Sequence, residues 1–297
     1  MKRYLINIGV FSIPFGLYLI LVFVVDPYNY LNRYEYSDDT IKNNISKGVQ
    51  PHLYKLIDYD NHPKKNIALG DSRTNALFHH IPEDQWANLA FDGGSLKELI
   101  ETFWYATERE KLDTVLISVN LRLFNKYHKR FWVEETIERK RNFFSYAFSK
   151  YTFKSTMYYL SSMATGEEYQ FNNTSMSKDE FWDFQLKRTA AKFFEKHEHP
   201  DEYYNELKKI AVYCKEHEIK LIFWIPPTHI DFQQRIIDFN LEDAQQIFTE
   251  EIASIGHLHN FNVLGNLTIN KDDYADPVHF NEGIGAKLYE LIFKEKR

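Results

Sequence analysis

The chain of 297 residues is 44% hydrophobic and 16% aromatic, which is enough apolar material for one large domain or two modest ones. Its formal net charge is -6 with no dense Lys/Arg cluster, which argues against nucleic acid as the main partner, since phosphate binding needs a dense basic face. The single cysteine, Cys214, excludes an intramolecular disulfide.

After Met1-Lys2-Arg3 the chain reads YLINIGVFSIPFGLYLILVFVV, roughly 22 residues without a charge, about the length that crosses a bilayer. A cleaved signal peptide has a shorter apolar region and a small-x-small site behind it. Here the segment runs straight into DPYNYLNRYEY. Lys2 and Arg3 precede the span, so the N-terminus is expected in the cytoplasm and the main domain outside it. Residues 1–25 therefore read as a cytoplasmic tip and membrane anchor. Residues 26–62, polar and aromatic with little periodicity, read as a juxtamembrane stalk leading into a domain over 63–297.

Within that domain short apolar runs alternate with helical stretches. KNIALG is the first expected strand, QWANLAF a second, DTVLISVN a third, IKLIFWIPP a fourth and HNFNVLG a fifth. Between them, SLKELIETFWYATEREK and PDEYYNELKKIAVYCKEHE carry amphipathic helical spacing, the latter placing Cys214 on an apolar face. Such alternation implies an α/β fold with a mainly parallel sheet covered on both faces, whose ligands bind beyond the carboxyl ends of the strands. The alternation breaks at about residues 125–198, an aromatic, charged and helical insertion expected to form a lid or side wall.

The chemistry is sought at the strand ends. Gly70-Asp71-Ser72 follows the first, Gly93 and Gly94 follow the second, Asn120 ends the third, and Asp276-Pro277-Val278-His279 precedes the last helix. An activated serine needs a base, and the base needs an orienting acceptor. His279 can be the base for Ser72, and Asp276, three residues earlier, can reach its Nδ1 across a tight loop. An oxyanion needs donors aimed at it. The backbone N–H of Ser72, that of Gly93 (or of Gly94) and the side-chain amide of Asn120 are the candidates. Arg73 and His229 are candidate substrate contacts, and Asp71 is expected to brace the turn through backbone hydrogen bonds. The pairs His79-His80, His197/His199 and His257/His259 lack a metal-binding pattern, so no metal and no cofactor are expected.

Taken together, GDSRTN, NLAFDGGS, the strand-ending Asn120 and DPVHFN resemble the ordered blocks of the SGNH (GDSL-type) hydrolase superfamily. The resemblance covers roughly residues 64–123 and 219–293, and departs in the third block, where SVNLR replaces Gly-x-Asn-Asp. It implies a flavodoxin-like three-layer α/β/α domain, Ser72 as nucleophile, Asp276 and His279 as acid and base, and an oxyanion hole completed by Gly93 and Asn120. Anchor, outward domain and insertion are most similar to the DltD/AlgJ-AlgX-like branch. That likeness implies acyl transfer or ester hydrolysis on a cell-surface or exported polysaccharide, beside a polytopic membrane acyltransferase. The competing expectation is a catalytically silent scaffold of the same fold that binds polymer or such a partner.

Overall fold

The computed structural model describes residues 1–32, 40–167, 169–171 and 176–294, the side chains of Lys2 and Leu5 apart. In chain order α1 (Lys2–Val25), α2 (Thr40–Val49) and α3 (Pro51–Asn61) precede β1 (Asn66–Leu69), α4 (Ser72–Phe78), β2 (Trp86–Asn88), α5 (Leu96–Thr107) and β3 (Thr114–Ser118). The insertion supplies α6 (Trp132–Lys140), α7 (Phe143–Ala147), α8 (Lys150–Thr165), α9 (Lys178–Phe184), a π-helical turn at Gln185–Thr189 and α10 (Ala190–Phe194). Then follow α11 (Asp201–Glu216), β4 (Lys220–Ile225), α12 (Ile230–Asp238), α13 (Glu242–Ile255), β5 (His257–Asn260), a short 3₁₀ turn at Lys271–Asp273 and α14 (Glu282–Phe293).

Two compact units result: residues 1–62 with 134–173, and residues 63–133 with 174–297. The second holds the sheet, in the order β2-β1-β3-β4-β5 with every described pairing parallel. This is the flavodoxin-like order, and its direction reverses at β1 and β3, so a crevice opens beyond their carboxyl ends. Side chains alternate across the sheet because successive Cβ atoms point to opposite faces. Ala68, Leu116, Ile222 and Trp224 pack with Leu77 and Phe78 of α4 and with Ile284, Leu288 and Ile292 of α14. The alternate residues Ile67, Val115, Ile117 and Phe223 are equally buried; α5 packs on β1 and α11 on β4. Cys214 is 1% exposed, and burial pushes its thiol up to about 12, so it is a core side chain.

The fifth strand differs from expectation. It runs over His257–Asn260 rather than through HNFNVLG, and Val263 and Leu264 are exposed beyond it. Period-2 alternation on an edge strand leaves polar residues outward, which hid the strand among histidines. Trp224 and Ile225 of β4 pair with His259 and Asn260.

In the first unit, the stretch expected as a stalk contains helices α2 and α3; its residues 33–39 lie outside the described residues. α2 packs on α8, burying Ile45 and Ser46. The end of α1 packs through Val22 on Leu53, Ile57, Tyr146 and Ala147. The insertion is thus divided: residues 134–173 belong with the N-terminal helices, and its remaining parts with the sheet.

Candidate active site

β1 ends at Leu69 and is followed by Gly70, whose φ of +148° is a backbone conformation that L side chains rarely adopt. A Cβ there would also lie 2.4 Å from Thr74 Oγ1 and 2.5 Å from Ser118 Cβ. The chain then turns sharply into α4, with Asp71 as N-cap accepting the Arg73 N–H at 3.0 Å. Ser72 is therefore not the cap: it occupies the first helical position, half-buried, at the crevice end of β1.

The loop that carries Asp276 and His279 closes between a backbone bridge, Tyr274 to Phe280, and the start of α14. Inside it the N–H of Val278 (2.8 Å) and of His279 (3.2 Å) both donate to Asp276 Oδ1. That leaves Oδ2 to meet His279 Nδ1 at 2.6 Å, while His279 Nε2 lies 2.7 Å from Ser72 Oγ. The three side chains expected to act together, separated by 207 residues between Ser72 and His279, form one continuous hydrogen-bonded line. Asp276 is buried and the His279 side chain is 31% exposed, so the serine end of the line faces solvent.

Around Ser72 the donors sort themselves by what they already bind. The Gly94 N–H donates to Phe91 O at 2.8 Å, whereas the N–H groups of Gly93 and Ser72 have no partner among the described residues. Of the two glycines, Gly93 is the one with a backbone donor to offer, and its φ of +61° is what turns the chain there. Asn120 Nδ2 gives one hydrogen to Asp71 Oδ2 at 3.2 Å, and its Oδ1 accepts the Leu123 N–H. The second amide hydrogen has no partner among the described residues.

Asp71 does far more than brace a turn. It is fully buried and accepts from Arg73 Nε (3.2 Å), Arg73 Nη2 (2.6 Å) and Arg122 Nη2 (2.8 Å), besides Asn120. Burial alone would raise its pKa, but the two guanidinium groups outweigh burial and hold the carboxyl well below the usual carboxylate range. Both expected substrate contacts are turned inward. Arg73 is 2% exposed and directs its guanidinium at Asp71. His229 is buried, caps α12 by accepting the Asp231 N–H, and packs edge-on against Trp182 and Tyr274. Its backbone N–H donates to Pro277 O at 2.9 Å, so it steadies the Asp276–His279 loop rather than facing the crevice.

Three residues outside the expected set shape the site. Arg122 follows Asn120 by two positions, and an arginine so close to a strand end at the crevice is the signal that could have found it. His128 Nε2 donates to Gly94 O at 2.9 Å, and Arg130 Nη1 donates to Asp92 O at 2.6 Å while its Nε pairs with Glu98 at 3.1 Å. The two clasp the loop that presents Gly93. Burial lowers the His128 pKa to about 4, so its ring is neutral near neutrality. No spacing in the sequence announces this clasp, because the loop and its clasp are over thirty residues apart in the chain. Among the described residues no group of three metal-ligating side chains occurs.

No protein-family model and no curated protein matches this sequence. Among solved structures, a GDSL-like lipase from Bacteroides thetaiotaomicron is 13% identical, covering 78% of this chain and 86% of its own, with a TM-score of 0.38. An alpha/beta hydrolase enzyme from the metagenome of Lake Arreo, Spain, is 12% identical over 77% of this chain and 94% of its own, with a TM-score of 0.37. A mutant of an acetyl-xylooligosaccharide esterase from Geobacillus is 13% identical over 79% of this chain and 95% of its own, with a TM-score of 0.33. At this level of likeness it is the site's own geometry that bears on function.

Proposed function

We propose that the protein is a serine acyl-ester enzyme of the SGNH type, acting by double displacement. The observation that carries this reading is the line Ser72 Oγ, His279 Nε2, His279 Nδ1, Asp276 Oδ2, with contacts of 2.7 and 2.6 Å, beside two backbone N–H groups without a partner among the described residues. His279 takes the Ser72 proton as Oγ attacks the acyl carbon, and the imidazolium is stabilised by Asp276. The N–H groups of Ser72 and Gly93, with the Asn120 amide, receive the oxyanion. Collapse of the tetrahedral intermediate leaves an acyl-Ser72 and releases the alcohol, protonated by His279. Water or a second hydroxyl then takes the acyl group by the reverse steps.

The finer reading places this chemistry outside the cytoplasm on a cell-surface or exported polysaccharide, in the manner of the DltD/AlgJ-AlgX-like branch. What supports it is the N-terminal helix, apolar and uncovered enough to span a membrane from Ile6 to Val25, together with the positive charges before it. A polytopic membrane acyltransferase is the partner this reading expects.

The test uses the full chain in vesicles, because residues 1–62 share a compact unit with 134–173. A chromogenic acetyl ester is supplied and the acyl adduct sought by intact mass, with Ser72→Ala alongside. An adduct in the wild type alone is the expected result. Equal turnover or equal labelling in both proteins removes Ser72 as nucleophile, and absence of turnover and adduct from both returns the scaffold reading.

A further inference from the structure

The N-terminal helix changes surroundings along its length. Residues 6–17 are exposed without exception. From Tyr18 onward one stripe is covered: Tyr18 and Leu19 are half-buried, Val22 is buried against its own unit and Val25 is buried. On the opposite side Ile20, Phe23 and Val24 stay 62%, 49% and 63% exposed. A helix rises 1.5 Å per residue and the hydrocarbon core is about 30 Å thick. The 20 residues Ile6–Val25 match that thickness. Were lipid to stop where the protein cover begins, only the twelve residues 6–17 would remain, about 18 Å of helix, too short to cross. Ile20, Phe23 and Val24 would then also stand in water.

Lipid must therefore continue to Val25, seven residues and about 10 Å beyond Tyr18. Whatever flanks Tyr18 lies within that depth. Its neighbours are Phe148 and Phe153, each with its ring centre 5.8 Å from the Tyr18 ring, and each 50% exposed. Phe144, one turn before Phe148, is 64% exposed. The Tyr18 hydroxyl donates to the Ala147 carbonyl at the end of α7, so a backbone acceptor that lipid could not serve is already satisfied. Lys150 and Lys154, exposed on the same segment, are long enough to reach headgroup phosphates.

We propose that the junction of α7 and α8 is embedded in the bilayer leaflet nearest the folded domain, with Phe144, Phe148 and Phe153 in lipid beside α1. This rests on the reading of α1 as a membrane span. The unit is then held in the membrane surface instead of standing off it on a tether.

The test replaces Cys214 by alanine in the full chain, introduces single cysteines as Ile13→Cys, Phe148→Cys and Glu138→Cys, and labels each with an environment-sensitive fluorophore. The proteins are reconstituted in mixed phosphatidylcholine–phosphatidylglycerol vesicles and quenched by nitroxide phospholipid or by iodide present on both faces. The expected result is that the labels at 13 and 148 are blue-shifted, lose emission to the lipid nitroxide and resist iodide, while the label at 138 behaves oppositely. Phe144→Cys repeats the measurement where the first substitution disturbs packing. Iodide quenching at 148 with lipid quenching at 13 overturns the embedding and leaves the span intact. Iodide quenching at both positions overturns the span and the embedding with it. Protection at 148 from both quenchers means protein covers the site, a second copy or a membrane partner, and overturns the lipid assignment.

Discussion

The two units handle awkward side chains in opposite ways. In the sheet unit the residues behind the serine are charged and hidden: Asp71, Arg73 and Arg122 are all nine-tenths or more buried, and every oxygen of Asp71 is occupied. In the helical unit the residues beside α1 are apolar and bare, with Phe144, Phe148 and Phe153 half or more exposed. Buried charge is tolerated only when paired and hydrogen-bonded, and bare aromatic clusters mark surfaces that meet something other than water. The first arrangement fixes the turn that carries Ser72, the nucleophile of the proposed function. The second, under the proposed embedding, would fix the position of the unit relative to lipid without any demand on atomic placement. Precision and adhesion are thus divided between two parts of one chain.

Breaking the line of three side chains has the largest expected effect. Ser72→Ala lowers ester turnover by about ten thousand-fold or more, while the thermal midpoint stays put because Asp71, not Ser72, caps α4. Steady-state rates with a chromogenic ester decide this, and substantial residual turnover by the variant would sink the nucleophile. Next comes the charge cluster. Asp71→Asn leaves two buried guanidinium groups under-compensated and is expected to lose about 3–5 kcal/mol of stability, read from chemical denaturation. A loss below about 1 kcal/mol would mean that the cluster is solvated, not buried.

Gly93→Ala sharpens the comparison within the site. Its left-handed backbone disfavours a side chain by about 1–2 kcal/mol, and the new Cβ would lie 3.2 Å from Arg130 Nη1. Displacing one oxyanion donor lowers kcat by about a hundredfold, whereas an unchanged kcat with reduced stability would show that the N–H is not aimed at the reacting carbonyl.

His128 supplies the pH test. Its folded-state pKa is depressed from 6.5 to about 4 by burial. Its contribution is therefore complete above about 6.5, falls as the unfolded chain takes up a proton below that pH, and is lost by about 4. His128→Gln keeps a donor for Gly94 O and removes the titration. Parallel melting-temperature curves for the two proteins across that window would contradict a buried neutral ring.

The smallest effect belongs to the other unit. Phe148→Ser is expected to change stability in detergent by no more than about 0.5 kcal/mol, since exposed side chains contribute little, and to weaken vesicle association of a chain whose folded core is untouched. A large destabilisation in detergent would mean that Phe148 is a core residue after all.

Much of this is legible in the sequence. The alternation of apolar runs and amphipathic stretches dictates a parallel sheet, and a parallel sheet brings every strand's carboxyl end to one edge. Ser72, the Gly93-Gly94 pair, Asn120 and the Asp276–His279 loop could therefore be brought to one edge from position alone, and the three-residue step from Asp276 to His279 suffices to close their hydrogen bond. The uncharged run after Arg3 likewise follows from composition. Other features depend on contacts between distant segments, and these no local pattern encodes. Which glycine keeps a free N–H was decided by Phe91 O, which claims Gly94. The direction of Arg73 was decided by Asp71 sharing its charge with Arg122 across 51 residues. His229 went inward because Trp182 and Tyr274 close over it, and the polar edge strand over His257–Asn260 is a strand only because β4 lies beside it. Helices α2 and α3 find α1 and α8 by packing, with a sequence too polar to announce it. Periodicity and spacing are properties of neighbours in the chain; the choice among donors, the pairing of buried charge and the covering of one side of a helix are properties of neighbours in space.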